Sequence, residues 1–558
     1  MTDEPSLGDV RDLAREVFGY RDLRPGQREA IAALLEGRDV LLVLPTGAGK
    51  SAVYQLPGLE LPGPTVVVSP LIALQQDQVR SLLELGDDDA RAAAVSSAVP
   101  AAQRRAALEA AAAGELEFLF LAPEQLANDE VMDAVRAARP SLVAVDEAHC
   151  VSTWGHDFRP EYLRIGEHVD TLDPRPRVLA LTATASPPVR EDVAERLHLR
   201  DPAVIVRGFA RPGIALEVVR AVEAEDKDRA AVERARTEAE QGIGIVYVAT
   251  RRRAHELADA LTEAGLRTAA YHGGLGRAER DDAQRRFTQD ELDVVVATSA
   301  FGMGIDKPDV RFVVHADVPG SPDSYYQEVG RAGRDGEPAV AVLFYRPEDL
   351  GLQRYFAVGV PDRDDLREVA RALGPGPSGS SGASGTARAS GASGPARVSA
   401  GPGEGTARLP RRLARLRALV EDARAVAGGD ARPVTVADAA HQLAEARRRV
   451  DDSRLQMMRA YAETPQCRRQ FLLAYLGEEL PEPCGRCDTC WAGTAAQRSA
   501  DERSEPWSPG TVVRHPEFGE GTVMGYEGDD RVTVLFESYG YRTLSLDAVA
   551  DHDLLSRP

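Results

Sequence analysis

Short apolar runs recur through the first 350 residues and alternate with longer Ala- and Leu-rich stretches of helical period. Between about residues 20 and 205 the runs are 40–44, 65–69, 118–121, 142–145 and 178–181. A second set follows at 243–248, 268–271, 294–297, 312–315 and 339–344. Unbroken apolar runs of this length predict buried strands, and their alternation with helices predicts parallel sheets covered by helices. Two α/β domains in tandem are expected, with polar motifs at strand ends gathered along the carboxyl edge of each sheet, where such folds bind ligands.

Beyond Tyr345 the pattern dissolves. Residues 374–406 are mostly Gly, Ser, Ala and Pro, a composition that buries too little surface to fold and reads as a flexible linker. Helical period resumes near 409, where Leu409, Leu413, Leu416 and Val420 share a face, while Arg411, Arg412, Arg415 and Arg417 read as a solvated one. A short helical piece at 364–373 is placed to pack on this segment. The last part has short strands at 511–514, 522–526, 531–536 and 541–545 between Gly- and Asp-containing turns, which predicts a small β-barrel and an interaction module. The expected boundaries are therefore 1–207, 208–358, a linker at 359–408, a helical segment at 409–495, a linker at 496–506 and the barrel at 507–558.

A chain of 558 residues is too long for one core, which agrees with several domains. No apolar run reaches the roughly 18–20 residues of a membrane span, so no membrane partner is expected. The polar, acidic start lacks the features of a secretory signal, and cytoplasm is the expected compartment. The formal charge of −21 argues against a polyanionic partner only as an average, since a basic groove on an acidic body remains compatible with it. Of 67 basic residues, only Lys50, Lys227 and Lys307 are lysines. Arginine offers a planar fork and lysine a compact charge, so Lys50 is not an interchangeable surface cation.

Lys50 lies in Leu-Pro-Thr-Gly-Ala-Gly-Lys-Ser (44–51), after a predicted strand and before a predicted helix. Thr46, Gly47 and Gly49 let backbone N–H groups curl around a β-phosphate, Lys50 reaches the β/γ oxygens and Ser51 ligates magnesium. Position 44 is leucine where the general P-loop has glycine, and the Pro-Thr-Gly-x-Gly-Lys-Ser form resembles the variant that helicases carry. The run 142–145 ends at Asp146 and Glu147, a pair suited to holding magnesium and orienting the attacking water. ATP with Mg2+ is the implied ligand. Tyr20, Arg24 and Gln27 are spaced for adenine, as a planar sandwich and a paired amide. Arg331 and Arg334, with small residues between, suit an arginine finger supplied in cis across a cleft. Immediately after the carboxylates, Trp154, His156, Phe158 and Arg159 are groups that stack on bases or grip phosphate. Cys467, Cys484, Cys487 and Cys490 form C-x16-C-x2-C-x2-C, which suits tetrahedral zinc, although iron–sulfur clusters also use C-x2-C-x2-C. Cys150 is left as a packed thiol beside the carboxylates.

Together these residues resemble the RecQ family of superfamily 2 DNA helicases. The resemblance rests on Phe-Gly-Tyr-x3-Arg-Pro-Gly-Gln (18–27), Asp-Glu-Ala-His (146–149) with its aromatic-rich loop, Thr182-Ala183-Thr184, Ala300-Phe301-Gly302-Met303-Gly304-Ile305 with Lys307-Pro308, and Tyr325-Tyr326-Gln327-Glu328 with Gly-Arg-Ala-Gly-Arg. It covers about 10–350 and 450–492. It implies two tandem RecA-like P-loop domains followed by a helical zinc-binding subdomain. It also implies ATP-dependent 3′-to-5′ translocation on single-stranded DNA, duplex unwinding in repair and recombination, and coupling of DNA contact to hydrolysis through Trp154, Phe158 and Arg159. Three departures stand out. Position 153 is Thr where the family usually has Gln, and the Gly/Ser-rich insert is unusual. The 68 residues after Cys490 (491–558) are too few for a winged helix and a further helical domain. The terminal strands instead resemble the SH3/Tudor-like domain that ends certain superfamily 1 helicases and meets protein partners. An RNA helicase, or an ATP-regulated DNA-binding scaffold with little unwinding, are the alternatives. A bacterial, nucleoid-associated location in the cytoplasm follows from the DNA reading.

Overall fold

The computed structural model describes residues 7–70, 72–84, 91–97, 99–152, 159–302, 307–356, 359–373, 408–427, 431–478, 480–495, 506–507, 511–527, 530–536 and 539–557. Trp154, His156 and Phe158, the atypical Thr153, most of the expected Gly/Ser-rich linker, and Met303 to Ile305 lie outside these residues.

The first lobe is a seven-stranded parallel sheet. Its strands are β1 (Val40–Val43), β2 (Thr65–Val68), β3 (Ala92–Val95), β4 (Phe118–Leu121), β5 (Leu142–Val145), β6 (Arg177–Thr182) and β7 (Ala203–Val206), in the order β3-β4-β2-β5-β6-β1-β7. Helices cover both faces, so β1, β2, β4 and β5 are buried at every position. That is why they read as continuous apolar runs rather than alternating ones. The second lobe has β8 (Ile214–Arg220), β9 (Gly244–Tyr247), β10 (Thr268–Tyr271), β11 (Val294–Ala297), β12 (Phe312–His315) and β13 (Ala339–Tyr345), all parallel, in the order β10-β11-β9-β12-β13-β8.

The strand order places the motifs. In the first sheet β6 lies between β1 and β5, so the end of β6 separates the glycine loop from the paired carboxylates. Leu44 N–H donates to Thr182 O at 3.1 Å, and Asp146 N–H donates to Val68 O at 2.8 Å across the β2–β5 neighbours. Three polar strand ends thus meet at one sheet edge.

Contacts divide the chain into two compact units, 1–354 with 453–558, and 355–452. The second unit is helical. Leu366, Val369 and Ala370 of the Arg363–Ala372 helix pack with Leu416, Leu419, Val420 and Ala423, and with Val436, Ala437, Ala440 and Ala444. Leu413, expected on that apolar face, is 60% exposed. In the first unit the Arg468–Tyr475 helix and the cysteine-bearing segment pack on β8, with Leu216 N–H donating to Arg486 O at 3.2 Å.

At the carboxyl end, β14 (Val512–His515), β15 (Gly519–Glu527), β16 (Arg531–Phe536) and β17 (Gly540–Ser545) form an antiparallel meander. Ser556 pairs with Arg514 of β14. Among the described residues β14 and β17 do not pair with each other, so the element is an open four-stranded sheet. Val513, Val523, Val532, Val534 and Phe536 fill its own core.

Candidate functional site: a nucleotide cleft between two lobes

β1 runs into the glycine loop, which the Ala52–Glu60 helix follows. Gly47 and Gly49 have φ of 78° and 76°, left-handed values that a side chain strains. A Cβ on Gly49 would also lie 2.6 Å from Gln27 Nε2. Lys50 Nζ, half-buried, donates to Leu44 O at 3.2 Å. Enclosure lowers its pKa and nearby Arg334 adds to that, while Glu147 and Asp146 act in the other direction.

Asp146 accepts hydrogen bonds from Glu147 N–H at 3.0 Å and from Ser69 Oγ at 3.3 Å. Burial first, and the Glu147 charge second, push its pKa up to about 6, with Lys50 opposing them. Glu147 itself has φ 48° and ψ 45°, a conformation uncommon outside glycine and asparagine, and Tyr162 OH donates to Asp146 O at 3.1 Å beneath it. These carboxylates face Lys50 and Ser51 in a cleft of about 390 Å3. A crowded carboxylate beside a serine hydroxyl and a lysine suits a magnesium–phosphate group, whose cation would relieve the crowding.

From Glu147 a polar chain crosses the lobe. His149 Nδ1 lies 3.3 Å from Glu147 Oε2 and 2.8 Å from Thr182 Oγ1. Thr182 Oγ1 donates to Thr184 O at 2.9 Å, so it accepts from His149, which places a proton on Nδ1. Thr184 Oγ1 in turn accepts from Gln327 Nε2 of the second lobe at 3.0 Å. Hydrogen bonds therefore join the carboxylate end to the second lobe.

Gln327 lies in the Pro322–Val329 helix, and Arg331 and Arg334 follow in the turn after it. Gly333, at φ 59°, makes that turn, and Arg211 clamps it by donating to Gly330 O at 3.3 Å and Ala332 O at 2.9 Å. Arg331 is 7% exposed, and its Nε and Nη1 have no hydrogen-bond partner among the described residues. A buried guanidinium with two unpaired nitrogens on a cleft wall fits an anion that would pair them. Arg334 packs over the glycine loop, its Cδ 3.3 Å from where a Cβ on Gly47 would sit.

The expected adenine set is partly engaged within the protein. Gln27 Nε2 donates to Ala48 O at 3.0 Å and Gly49 O at 2.9 Å, and its Oε1 accepts from Arg24 N–H at 2.9 Å. Arg24 Nη1 donates to Gly47 O at 3.1 Å. Tyr20, 40% exposed, stacks on Phe18 with ring centroids 5.7 Å apart and also lines the cleft. Arg159, of the expected DNA-coupling group, donates from Nη1 to Pro70 O at 3.5 Å. Sequence reasoning missed Ser69 and also Gln75, which lines the cleft and donates from Nε2 to Ser69 O at 2.7 Å. The only signal was that Ser69 ends an apolar run as Asp146 does, and the β2–β5 pairing that sets them side by side is not written in either segment.

The Sγ atoms of Cys467, Cys484, Cys487 and Cys490 all lie within 4.8 Å of one another. A tetrahedral zinc with Zn–S near 2.3 Å needs sulfurs about 3.8 Å apart, and Cys467–Cys487 and Cys484–Cys490 stand at 3.9 and 4.0 Å. Cys484 N–H donates to Cys467 Sγ at 3.2 Å, and Gly485 at φ 67° makes the turn that brings Cys487 round. No two described cysteines form a disulfide. The four therefore fit zinc. Asp488 anchors the centre, accepting from Arg468 Nε at 2.9 Å and from Val218 N–H of β8 at 3.2 Å.

Comparison with known proteins agrees with this geometry. Residues 24–193 match the DEAD/DEAH box helicase family, 227–336 the helicase conserved C-terminal domain and 413–491 the RecQ zinc-binding family. The chain is 34% identical to the ATP-dependent DNA helicase RecQ of Bacillus subtilis over 545 residues, covering 97% of this chain and 77% of that protein. To the probable ATP-dependent DNA helicase RecS of the same organism it is 42% identical over 360 residues, 64% of this chain and 71% of that one. Among solved structures, Mycobacterium smegmatis helicase Lhr bound to ssDNA and AMP-PNP aligns with a TM-score of 0.50 at 25% identity, over 66% of this chain and 53% of that one. With both helicase domains, the cysteine centre and a relative matched over 97% of this chain in agreement, the chain belongs to the RecQ family of ATP-dependent DNA helicases.

Proposed function

We propose that this chain moves 3′-to-5′ along single-stranded DNA and separates duplexes at the expense of ATP. The observation that carries the reading is the cleft itself, where Lys50, Asp146 and Glu147 of one lobe face Arg331 and Arg334 of the other. In this reading Gly47, Gly49 and Thr46 cradle the phosphates, Lys50 pairs with the β/γ oxygens, and Ser51 and Asp146 hold magnesium. Bound magnesium supplies the positive charge that neutralises the phosphates in the transition state. Glu147 orients the water. Arg331 and Arg334 meet charge developing on the γ-phosphate, so the lobes close on ATP and relax after hydrolysis.

Tyr20, Arg24 and Gln27 then address adenine, Gln27 exchanging a glycine-loop carbonyl for the base. Trp154, His156, Phe158 and Arg159 are assigned to DNA. That segment is chained directly to Glu147, which is how polymer contact would reach the hydrolytic group. The four cysteines hold zinc. The C-terminal sheet is read as an SH3/Tudor-like module that meets a protein partner, and the cytoplasmic nucleoid is the location this substrate implies. Unwinding of a 3′-tailed duplex against a 5′-tailed one tests the reading, and equal unwinding of both would refute the polarity. ATPase stimulation by DNA well above that by RNA is expected; the reverse order would favour an RNA helicase.

A further inference from the structure

The Pro322–Val329 helix is gripped at successive residues by parts of the chain outside both lobes. Asp323, 3% exposed in its first turn, accepts a hydrogen bond from Tyr475 OH. Two residues on, Tyr325 OH accepts from Tyr461 OH at 3.2 Å. Next to it Tyr326 OH donates 2.7 Å to Phe209 O, in the connection between the lobes. The same helix then delivers Gln327 to Thr184 and leads into Arg331.

Tyr475 ends the Arg468–Tyr475 helix, which begins at the zinc ligand Cys467. Its ring is stacked on Tyr541 of β17, with centroids 5.3 Å apart and planes at 22°. Tyr541 N–H donates to Ser453 Oγ at 2.7 Å, and Ser453 is 2% exposed. Leu535 and Tyr541 of the terminal sheet share one continuous apolar cluster with Tyr475, Met457, Phe209 and Tyr326. Beyond Tyr475, Leu476 O accepts from Arg190 of the first lobe, and Glu478 accepts from Phe209 N–H at 3.0 Å. One face of the terminal sheet is thus committed to the motor rather than free for a partner.

We propose that the C-terminal sheet is an internal brace of the motor, in which Tyr541 holds Tyr475 on Asp323 and so positions the helix that presents Gln327 and Arg331 to the nucleotide. Tyr475 and Tyr541 are positioning residues, since neither lines the cleft. This rests on the helicase reading of the cleft. Asp323 is buried with the Arg454 charge nearby and the Tyr475 hydroxyl as its hydrogen-bond donor, so losing that hydroxyl loosens the first turn of the helix without stripping the carboxylate of its counter-charge. An arginine that acts mainly in the transition state then loses alignment more than binding, which lowers kcat more than it raises KM.

The test is steady-state ATPase of the full chain with saturating single-stranded DNA, for Tyr475→Phe, Tyr541→Leu, Arg331→Ala and the Tyr475→Phe/Arg331→Ala double variant. Tyr541→Leu keeps apolar bulk but removes the stacked ring, and leaves the Tyr475 hydroxyl in place on Asp323. The expected result is a fall in kcat of about fivefold to tenfold in Tyr475→Phe with KM for ATP changed less than about twofold. A smaller fall of the same kind is expected in Tyr541→Leu. In the Arg331→Ala background, Tyr475→Phe adds nearly nothing, because the group it positions is gone. Wild-type kcat in both single variants, or losses that multiply in the double variant, would overturn the brace. Absence of DNA-stimulated hydrolysis in the unaltered chain would instead overturn the helicase reading on which it stands.

Discussion

Asp146→Asn is expected to make the nucleotide-free protein more stable while removing its activity. Asp146 sits half-buried with Glu147 beside it, and its pKa stands near 6 against 3.8 for an unperturbed side chain. A carboxylate whose folded pKa is raised binds its proton more tightly when folded. Its full contribution to stability is therefore present below about pH 4, is lost as pH rises through about 6, and does not return above that. At pH 7.5 the charged form costs the fold up to about 3 kcal/mol, from roughly 2 pH units at 1.36 kcal/mol each. Asparagine keeps the shape and the oxygen that accepts from Glu147 N–H, yet carries no charge. For a cooperative unit the size of the first lobe, 1–3 kcal/mol corresponds to roughly 2–10 °C in melting temperature. The assay is thermal unfolding without magnesium or nucleotide, at pH 7.5 and at pH 4. Asp146→Asn should melt higher at pH 7.5 and level with the parent near pH 4, and adding magnesium and ATP should stabilise only the parent. A variant that melts at or below the parent at pH 7.5 would refute the electrostatic account of the site.

The same carboxylate predicts that the magnesium needed for half-maximal ATPase rises as pH falls below about 6, by up to about tenfold per unit, because proton and cation compete for one oxygen pair; a flat requirement in a magnesium titration would contradict it. Lys50→Ala is expected to abolish ATP turnover while single-stranded DNA binding, read by fluorescence anisotropy, largely survives. Trp154→Ala and Phe158→Ala should reduce DNA stimulation of the ATPase more than basal turnover, and an unchanged stimulation ratio would remove their coupling role. Cys487→Ser should lower zinc, measured by metal analysis, from one ion per chain towards none, and lower the melting temperature, since Cys467 and Cys487 are buried beside β8.

Most lobe strands that were legible in the sequence bury both faces, while the half-buried edge strand β10 was read from its place in the strand–helix alternation. β1, β2, β4 and β5 have no exposed position, so nothing interrupts their apolar runs. β3 reads Ala-Ala-Ala-Val at a sheet edge, half-buried, and cannot be told from a helix. β7 and β8 are also edge strands with partly exposed residues, and neither shows an unbroken buried apolar run. The glycine loop and the carboxylate pair were legible because their chemistry needs fixed residue types at fixed spacing. Ser69 and the Thr184–Gln327 bond were not, because strand order and lobe pairing bring them together from far apart. The docking of β17 was hidden differently. Tyr541 alternates as any strand residue does, and alternation does not say whether an inward face meets its own sheet or another element.

Composition carried one further message that only the structure completes. In a chain that uses arginine almost everywhere, all three lysines sit where a compact cation is enclosed by fixed partners. Lys50 is in the cleft. Lys227, 3% exposed, lies 3.2 Å from Asp317 and 2.6 Å from Asp349, and Lys307, 6% exposed, lies 2.8 Å from Asp290 and 3.2 Å from Asp309. A guanidinium is wider, planar and less able to point separate donors at two carboxylates on different elements. Lys227→Arg should therefore destabilise the second lobe by about 1–3 kcal/mol, through overpacking and a broken pair that leaves Asp317 with only Arg253 and the Ala249 N–H. Arg252→Lys, on an exposed helical pair with Glu256, should change stability by less than about 0.5 kcal/mol. Both exchanges conserve charge, so unfolding midpoints that fall equally, or not at all, would show that geometry does not explain where lysine was kept.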